Sequence, residues 1–185
     1  KIRAHKNGHI ATLKDQITGE EKEVFARHIV MALGPFSDQV LAKVLPGGWR
    51  PRLLPSKGSH LWLRKEALNL KGPLLLTPQD GRVIFVMPWE KAILVGTTEV
   101  APHENFFDVK ASKAEVDYLF KALKEYFPDA QLQTSDILSS FAGIRPLVKE
   151  DMEAGLGKTA REHKVIRPDP SIHVIMGGKY TTFRR

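Results

Sequence analysis

Short runs of apolar and β-branched residues, separated by turn residues, recur along the chain and predict many short β-strands. Asn7-Gly8 and Asp80-Gly81 are residue pairs typical of tight hairpin turns. The predicted strands are Ile2–His5, His9–Leu13, Val24–Leu33, Arg52–Leu54, Ser59–Leu63, Leu74–Thr77, Arg82–Met87, Ala92–Thr97, Asp136–Phe141, Lys164–Arg167 and Ile172–Met176. The successive hairpins favour an antiparallel or mixed sheet, and we expect the apolar run Ile29–Leu33 to be buried on both faces.

Two segments instead space their apolar residues as an amphipathic helix does. They are Ser37–Leu45 and Ser112–Phe127. In the second, Ser112 is the predicted N-cap, Glu115 completes a capping box three residues later, and Pro128 ends the helix.

Composition narrows the class of protein. The 185 residues suffice for one domain, or for one domain and part of another. The chain has no cysteine, which excludes disulfides, thiolate metal sites and a cysteine nucleophile, and which fits a reducing compartment. A net charge of +7 favours anionic partners, but the positive residues are dispersed and form no nucleic-acid-binding arm. No apolar run approaches the ~20 residues of a membrane helix, and no signal peptide is expected in the chain.

Two segments carry candidate catalytic residues. In Lys57–His60, a glycine beside Lys57 and His60 permits close approach of a ligand, and His60 is a candidate general base. The alternative is a strand-edge histidine that bonds a backbone group. In Gly143–Leu147, the fork of Arg145 suits a carboxylate or a phosphate, and the alternative is a structural ion pair.

Two further segments are candidate anion sites. Arg161 follows a polar loop and either clamps an anion or is an ordinary surface arginine. Gly177–Arg184 combines two glycines, a lysine and two threonines, and is either a cradle for an anion or cofactor or a plain tight turn. The sequence contains neither a P-loop, nor G-x-G-x-x-G, nor H-E-x-x-H, so we predict no complete dinucleotide site and no metal site.

Six segments, in this order, resemble the FAD-dependent glycerol-3-phosphate dehydrogenases, and the resemblance runs from about Ala26 to Arg184. The segments are Leu33–Asp38, Lys57–His60, Arg82–Trp89, Gly96–Thr98, Ala142–Leu147 and Gly177–Arg184. Each is weak alone, but their order makes chance similarity improbable. Mild departures, such as Phe36 where tryptophan is usual and Glu99 where aspartate is usual, leave room for an altered substrate preference.

The resemblance implies an α+β fold. It implies a mixed or antiparallel sheet packed with helices as a substrate-binding domain over residues 51–167, between remnants of a Rossmann-like FAD-binding domain at 1–50 and 168–185. The glycine-rich phosphate-binding segment of the family would precede Lys1. We therefore expect an internal piece of a longer enzyme, without the main FAD motif and inactive alone.

The resemblance also implies a reaction, in which sn-glycerol 3-phosphate is oxidised to dihydroxyacetone phosphate, a hydride passes to FAD, and the electrons leave to a quinone or to oxygen. The implied catalytic residues are His60 and Arg145. The implied substrate-binding residues are Arg161, Lys179 and Thr181, and the implied cofactor-binding residues are Gly34, Pro35, Gly178, Lys179, Thr181 and Thr182.

Two other readings stay open at this point. One is a flavin oxidase of the same superfamily that acts on an amine or a 2-hydroxy acid. The other is a non-catalytic module that binds anionic lipid or nucleic acid, which the net charge suggests and the dispersed charges disfavour. For the enzyme we expect no nucleic-acid partner, and a location in the cytoplasm, either free or in peripheral contact with the cytoplasmic face of a membrane.

Overall fold

The computed structural model describes residues 1–45, 48–103, 105–149 and 162–182. These residues form two compact units. The first unit combines Lys1–Pro55 with Pro146–Arg185, and the second unit is Ser56–Arg145.

Strands dominate the described residues. They are β1 (Ile2–His5), β2 (Gly8–Lys14), β3 (Glu21–Ala26), β4 (Ile29–Met31), β5 (Leu53–Arg64), β6 (Leu74–Leu76), β7 (Ile84–Trp89), β8 (Ala92–Gly96), β9 (Ile137–Val148), β10 (His163–Asp169) and β11 (Ile172–Gly177). The α-helices are α1 (Ser37–Val44) and α2 (Lys113–Tyr126). Short 3-10 turns lie at Gly34–Phe36, Lys65–Ala67, Thr134–Asp136 and Tyr180–Thr182.

The first unit contains two small sheets. One is the antiparallel sheet β1-β2-β3, and the other has the order β10-β11-β4, with β10 antiparallel and β4 parallel to β11. Its core is formed by apolar side chains from α1 and the second of these sheets, together with neighbouring segments. The buried members are Met31, Leu41, Leu45, Leu53, Val148, Ile172, Val174 and Met176.

The second unit is built on a five-stranded sheet with the order β6-β7-β8-β5-β9. The pairs β6/β7, β7/β8 and β8/β5 are antiparallel. Side chains of α2 share one apolar core with alternate residues of these strands, because successive side chains in a strand point to opposite faces. The fully buried members are Leu61, Leu63, Ile84, Val86, Ile93, Val95, Leu119 and Leu123.

The structure confirms the predicted combination of antiparallel and mixed sheets with few helices. It also confirms the capping box of α2, in which the Ser112 hydroxyl accepts from the Glu115 amide at 3.3 Å and the Glu115 carboxylate accepts from the Ser112 amide at 3.0 Å. Neither of the two α-helices that the structure describes is long and apolar enough to cross a membrane.

Three strand predictions need correction. The predicted strand Val24–Leu33 is two strands, β3 and β4, and β4 is not buried on both faces, since Val30 is 63% exposed. The reason is that its side chains alternate, so that Met31 lies in the core of the unit while Val30 points to the opposite face. Two predicted strands are joined in the 12-residue β5, and β9 continues past Phe141 to Val148, so that Arg145 lies within a strand and not after one.

Candidate active site

The segment Lys57–His60 lies within β5, and the alternation of the strand divides it between two faces. Lys57 and Ser59 are on the side of Leu61 and Leu63, which we call the helix face because it shares the core with α2. Gly58 and His60 are on the opposite side, which we call the site face. The four residues of the motif therefore have two different environments, one on each face of β5.

On the site face, the guanidinium of Arg145 lies directly against Gly58. A Cβ built on Gly58 would fall less than 3.0 Å from Nη1, Nη2 and Cζ of Arg145, a separation that real Cβ atoms essentially never show. The close approach predicted at this glycine is thus made by a side chain of the chain itself. Only glycine leaves room for it.

Two groups that follow β8 orient the guanidinium. Nη2 of Arg145 donates to the Thr97 hydroxyl at 2.7 Å, and Nη1 donates to the Thr98 carbonyl oxygen at 3.4 Å. The side chain is partly buried, which strengthens these bonds relative to a surface arginine. A partly buried arginine held in this way presents a fixed positive charge, as recognition of an anion or of a developing negative oxygen requires.

His60 occupies the neighbouring position on the site face. Its ring stacks on Phe141 with centroids 4.9 Å apart and an interplanar angle of 8°. On the other side, a Cβ on Gly96 would lie less than 3.0 Å from three ring atoms of His60, so this glycine makes room for the imidazole. His60 is paired with Gly96 in the register of β5 and β8.

The Nδ1 atom of His60 is buried and has no hydrogen-bond partner in the described part of the chain. Burial lowers the pKa of His60 below its ordinary value of 6.5, and the positive charge of Arg145 lowers it further. The imidazole is therefore neutral at pH 7 and keeps a lone pair with which it can accept a proton. A neutral imidazole with a free lone pair is chemically able to act as a general base.

On the helix face, the ammonium group of Lys57 is bonded to other groups of the chain. Its ammonium forms an ion pair with Glu115 of α2 at 2.9 Å, and the side chains of the two residues are 3% and 5% exposed. Sequence reasoning placed Glu115 in the capping box and missed this second partner. The capping signal was sufficient to explain a glutamate there, and nothing local to either residue indicates the pairing.

Phe141 was also missed as a site residue, although a period-two count along β9 gives the signal. Phe141 and Arg145 are four residues apart, so in a strand they lie on the same face. Thr97 and Thr98 belong to the matched segment Gly96–Thr98, but no role was predicted for either.

The first unit brings together the other group of predicted residues. Strands β4 and β11 are parallel, so their carboxyl ends lie at the same end of the sheet. The turn after β4 contains Gly34-Pro35, and the turn after β11 contains Gly178-Lys179. Gly34 and Gly178 have φ of 54° and 88°, in the left-handed region that favours glycine. In α/β sheets, nucleotide cofactors bind at the carboxyl ends of parallel strands, beside turns that contain glycine. The residues present therefore fit part of an FAD site.

The remaining predicted residues differ in what the structure describes. Lys179 and Thr181 are exposed next to Gly178. Arg161 lies outside the described residues, as does the side chain of Thr182. Among the described residues, no group of three or more His, Asp or Glu side chains is arranged to hold a metal ion.

Comparison with known proteins gives a family for the chain. The family model described as "FAD dependent oxidoreductase" matches residues 1–180. The resemblance deduced from the six segments is confirmed by relatives named as glycerol-3-phosphate dehydrogenases. The mitochondrial one of Arabidopsis thaliana is 30% identical, and the match covers 94% of this chain and 27% of the relative. The mitochondrial one of Rattus norvegicus is 34% identical, with 94% and 24% covered.

A solved structure agrees with these matches. The glycerol-3-phosphate dehydrogenase of Bacillus halodurans, complexed with FAD, superposes with a TM-score of 0.82 at 27% identity. The match covers 99% of this chain and 35% of that one. The chain thus spans about a quarter to a third of the length of the proteins that it resembles.

Proposed function

This chain belongs to the FAD-dependent oxidoreductase family, and from that premise we propose that the protein containing it oxidises sn-glycerol 3-phosphate to dihydroxyacetone phosphate. The substrate is suggested by the relatives, which are named as glycerol-3-phosphate dehydrogenases, and by the ordered segments that carry the resemblance. The chain supplies one part of that enzyme, and it is inactive alone.

One observation carries the proposal, namely that Arg145 and a neutral His60 occupy neighbouring positions on the site face. Oxidation of a secondary alcohol requires a base for the hydroxyl proton and a positive group near the oxygen on which negative charge develops. His60 offers a buried ring nitrogen that has no hydrogen-bond partner among the described residues, and Arg145 offers an oriented guanidinium. The charge of Arg145 also helps to keep His60 unprotonated by lowering its pKa.

His60 and Arg145 are thus the proposed catalytic residues. His60 accepts the proton of the secondary hydroxyl, and the guanidinium of Arg145 binds the oxygen. Phe141 holds the imidazole ring flat against its own ring, which fixes the direction in which the ring nitrogens point. Water is displaced from one side of the ring by the same contact.

The proposed cofactor is FAD, which accepts the hydride from the substrate carbon when it is bound. Gly34, Pro35, Gly178, Lys179, Thr181 and Thr182 are the proposed cofactor-binding residues of this chain. The turns at the carboxyl ends of β4 and β11 contain glycines in the left-handed region, and they support that assignment. The main phosphate-binding motif of the cofactor is proposed to lie in another part of the protein.

On the strength of the resemblance, we assign substrate binding to Arg161, Lys179 and Thr181, with Arg161 at the phosphate. We propose a quinone or oxygen as the electron acceptor of the whole protein. The functional ranges, with residues 51–167 as substrate domain and 1–50 and 168–185 as remnants of the FAD domain, stay a prediction. So does the location in the cytoplasm with peripheral membrane contact, and the named relatives from Arabidopsis thaliana and Rattus norvegicus are mitochondrial proteins.

The test is reduction of the flavin in the full-length protein under anaerobic conditions. We expect glycerol 3-phosphate to bleach the oxidised flavin of the wild type. Replacement of Arg145 by alanine removes the group that binds the developing negative oxygen, and we expect the rate of bleaching to fall about 10²- to 10³-fold.

The matched control is Arg64→Ala, which removes an arginine of the same sheet that is bonded to Ser135 and Asp136 instead. We expect this variant to be reduced at the wild-type rate. Flavin that is reduced by an amine or by another 2-hydroxy acid, and stays oxidised with glycerol 3-phosphate, would contradict the proposal.

A further inference from the structure

The helix face of β5 carries a buried polar cluster that the proposed reaction does not use. Its members are Lys57, Ser59, Thr98 and Glu115, whose exposures are 3%, 0%, 1% and 5%. Buried polar groups are costly unless they are fully bonded, so a cluster of this size in a small sheet calls for an explanation.

The carboxylate of Glu115 is the centre of the cluster. Its Oε1 accepts from the Ser59 hydroxyl and from the Thr98 hydroxyl, each at 2.8 Å. Its Oε2 accepts from the Ser112 amide at 3.0 Å and pairs with the Lys57 ammonium at 2.9 Å. The bonds connect α2, β5 and the segment after β8 through one side chain.

These bonds keep Glu115 ionised. Burial raises the pKa of the carboxyl group, but the hydrogen bonds from the Ser112 backbone, Lys57, Ser59 and Thr98 outweigh burial and lower the pKa to about 2. The carboxylate is thus a permanent acceptor at physiological pH, and the hydroxyls of Ser59 and Thr98 have one fixed direction in which to donate.

Thr98 joins this cluster to the candidate active site. Its hydroxyl accepts from the Ser59 amide at 2.9 Å while donating to Glu115, so the side chain is held from both sides. Its carbonyl oxygen accepts from Nη1 of Arg145, and the hydroxyl of the preceding Thr97 accepts from Nη2. The Thr97-Thr98 segment therefore contacts the cluster through the Thr98 hydroxyl. It contacts Arg145 through the Thr98 carbonyl oxygen and the Thr97 hydroxyl.

Backbone pairing with β5 flanks this segment at both ends, at Gly96 with His60 and at Val100, whose carbonyl and amide bond Lys57 at 2.8 and 3.0 Å. Strand β8 ends at Gly96, and Thr97 and Thr98 come after its last paired residue. The backbone bond from Thr98 to Ser59 is 3.3 Å long, whereas the side-chain bonds of Thr98 are 2.8 and 2.9 Å. Between these two paired ends, the side-chain bonds of Thr98 are the shorter contacts, so we expect the Thr98 hydroxyl and the carboxylate of Glu115 to fix the orientation of the segment.

We propose that Thr98 and Glu115 are positioning residues for Arg145. They act from the helix face, fixing the Thr97-Thr98 segment so that its hydroxyl and carbonyl hold the guanidinium in one orientation on the site face. This inference rests on the proposed function, in which Arg145 binds the substrate oxygen. It assigns to Thr98 and Glu115 a role that is exercised through Arg145.

The experiment is a double-mutant cycle in the full-length flavoprotein, with Thr98→Val and Arg145→Ala. Valine keeps the shape of threonine and removes only the hydroxyl. Flavin reduction by glycerol 3-phosphate is followed in single turnovers over hours, so that slow variants remain measurable. We expect Thr98→Val to lower kcat/KM about 10- to 100-fold, because misplacement of an orienting group by about 1 Å has effects of that size.

In the Arg145→Ala background we expect Thr98→Val to change the rate less than about twofold, since the group it positions is gone. Thr98→Ser restores the hydroxyl and is expected to restore the wild-type rate. Equal losses in both backgrounds would mean that Thr98 supports the fold and not Arg145, and would overturn the proposal. If Thr98→Val does not retain flavin, Ser59→Ala, which removes the other bond to Oε1, takes its place in the cycle.

A second measurement is independent of the substrate, namely the pKa of His60 by NMR of histidine-labelled protein, assigned with His60→Gln. Arg145 is the charged group that lowers this pKa together with burial. We expect the pKa to rise toward 6.5 in Thr98→Val and to stay unchanged in Thr98→Ser. If the pKa rises in Thr98→Val as expected but glycerol 3-phosphate does not reduce the wild-type flavin, the proposed function alone is refuted. An unchanged pKa in Thr98→Val would refute the positioning role.

Discussion

The two faces of β5 differ in how completely their polar groups are bonded. On the helix face, the side chains of Lys57, Ser59 and Glu115 are buried and bonded to one another or to neighbouring groups. On the site face, Nδ1 of His60 is buried and has no partner among the described residues. The two faces are formed by adjacent residues of a single strand.

This difference separates support from chemistry. A buried polar group without a partner costs about 1–3 kcal/mol, and such groups mark places where a ligand, a water molecule or an ion can bind. A cluster whose polar groups are bonded to one another does not depend on a ligand for its hydrogen bonds. It also holds the neighbouring residues in one arrangement. We therefore expect changes on the helix face to lower stability, and at Thr98 also activity through Arg145, whereas changes on the site face lower activity with little effect on stability.

The largest expected effect is the loss of the buried carboxylate in Glu115→Ala. This variant leaves the Lys57 ammonium buried without its partner and also removes the capping box of α2. Removing one member of a buried ion pair costs about 3–5 kcal/mol, so we expect the free energy of unfolding to fall by about that amount. Denaturant unfolding of the full-length protein measures it.

Lys113→Ala is the control, because Lys113 forms an exposed pair with Asp117 on the same helix. We expect its effect on the free energy of unfolding to be below about 1 kcal/mol. An equal effect of both substitutions would remove the distinction between the helix face and an ordinary surface.

Acid should weaken the helix face in a defined pH window. The pKa of Glu115 is lowered from 4.5 to about 2, so the bonded carboxylate contributes stability that is fully present above pH 4.5. That contribution, about 3 kcal/mol, is lost as the pH falls from 4.5 to 2. Melting temperatures of wild type and Glu115→Gln, recorded across this range, should converge toward pH 2. A constant difference between them would contradict the assignment.

The smallest expected free-energy effect, on the site face, is produced by Gly58→Ala. The added methyl group would collide with the guanidinium of Arg145, which is the far end of a flexible side chain and can move away. We expect the free energy of unfolding to change by less than about 1 kcal/mol, and kcat/KM to fall about 100-fold, because the guanidinium loses its orientation. Steady-state kinetics and thermal unfolding of the full-length protein give the two values.

Gly72→Ala is the matched control, since a Cβ on Gly72 meets nothing within 4 Å. Both values should then stay at wild type. A variant at Gly58 that keeps full activity would mean that the orientation of Arg145 is not needed.

Much of the local structure could be predicted from the sequence. The capping residues of α2 and the Asn7-Gly8 hairpin are encoded in neighbouring residues, and both are confirmed. The pairs β10/β11 and β7/β8 follow from the same kind of signal. The strand boundaries were less accurate, because the extension of β5 and β9 depends on partners that are distant in sequence.

The candidate site was predicted in part. His60 and Arg145 were chosen by residue type and by resemblance, and the structure brings both to the site face. Phe141 was missed because Arg145 was placed after the strand and not inside it, which hides the period-two relation between the two residues. Whether Gly34, Pro35, Lys179 and Thr181 bind the cofactor or the substrate stays a prediction.

The sequence by itself determined which residues can do chemistry, which turns are tight and which family the chain resembles. These properties depend on single residues and short spacings, and they are visible without the fold. The tertiary structure alone decided that Lys57 and His60, three residues apart, serve opposite faces, and that Glu115, chosen as a cap, also binds β5 and Thr98. The bonds from Thr98 and Ser59 to Glu115 join residues 17 and 56 positions apart, so only the packing of α2 on the sheet brings them within hydrogen-bonding distance.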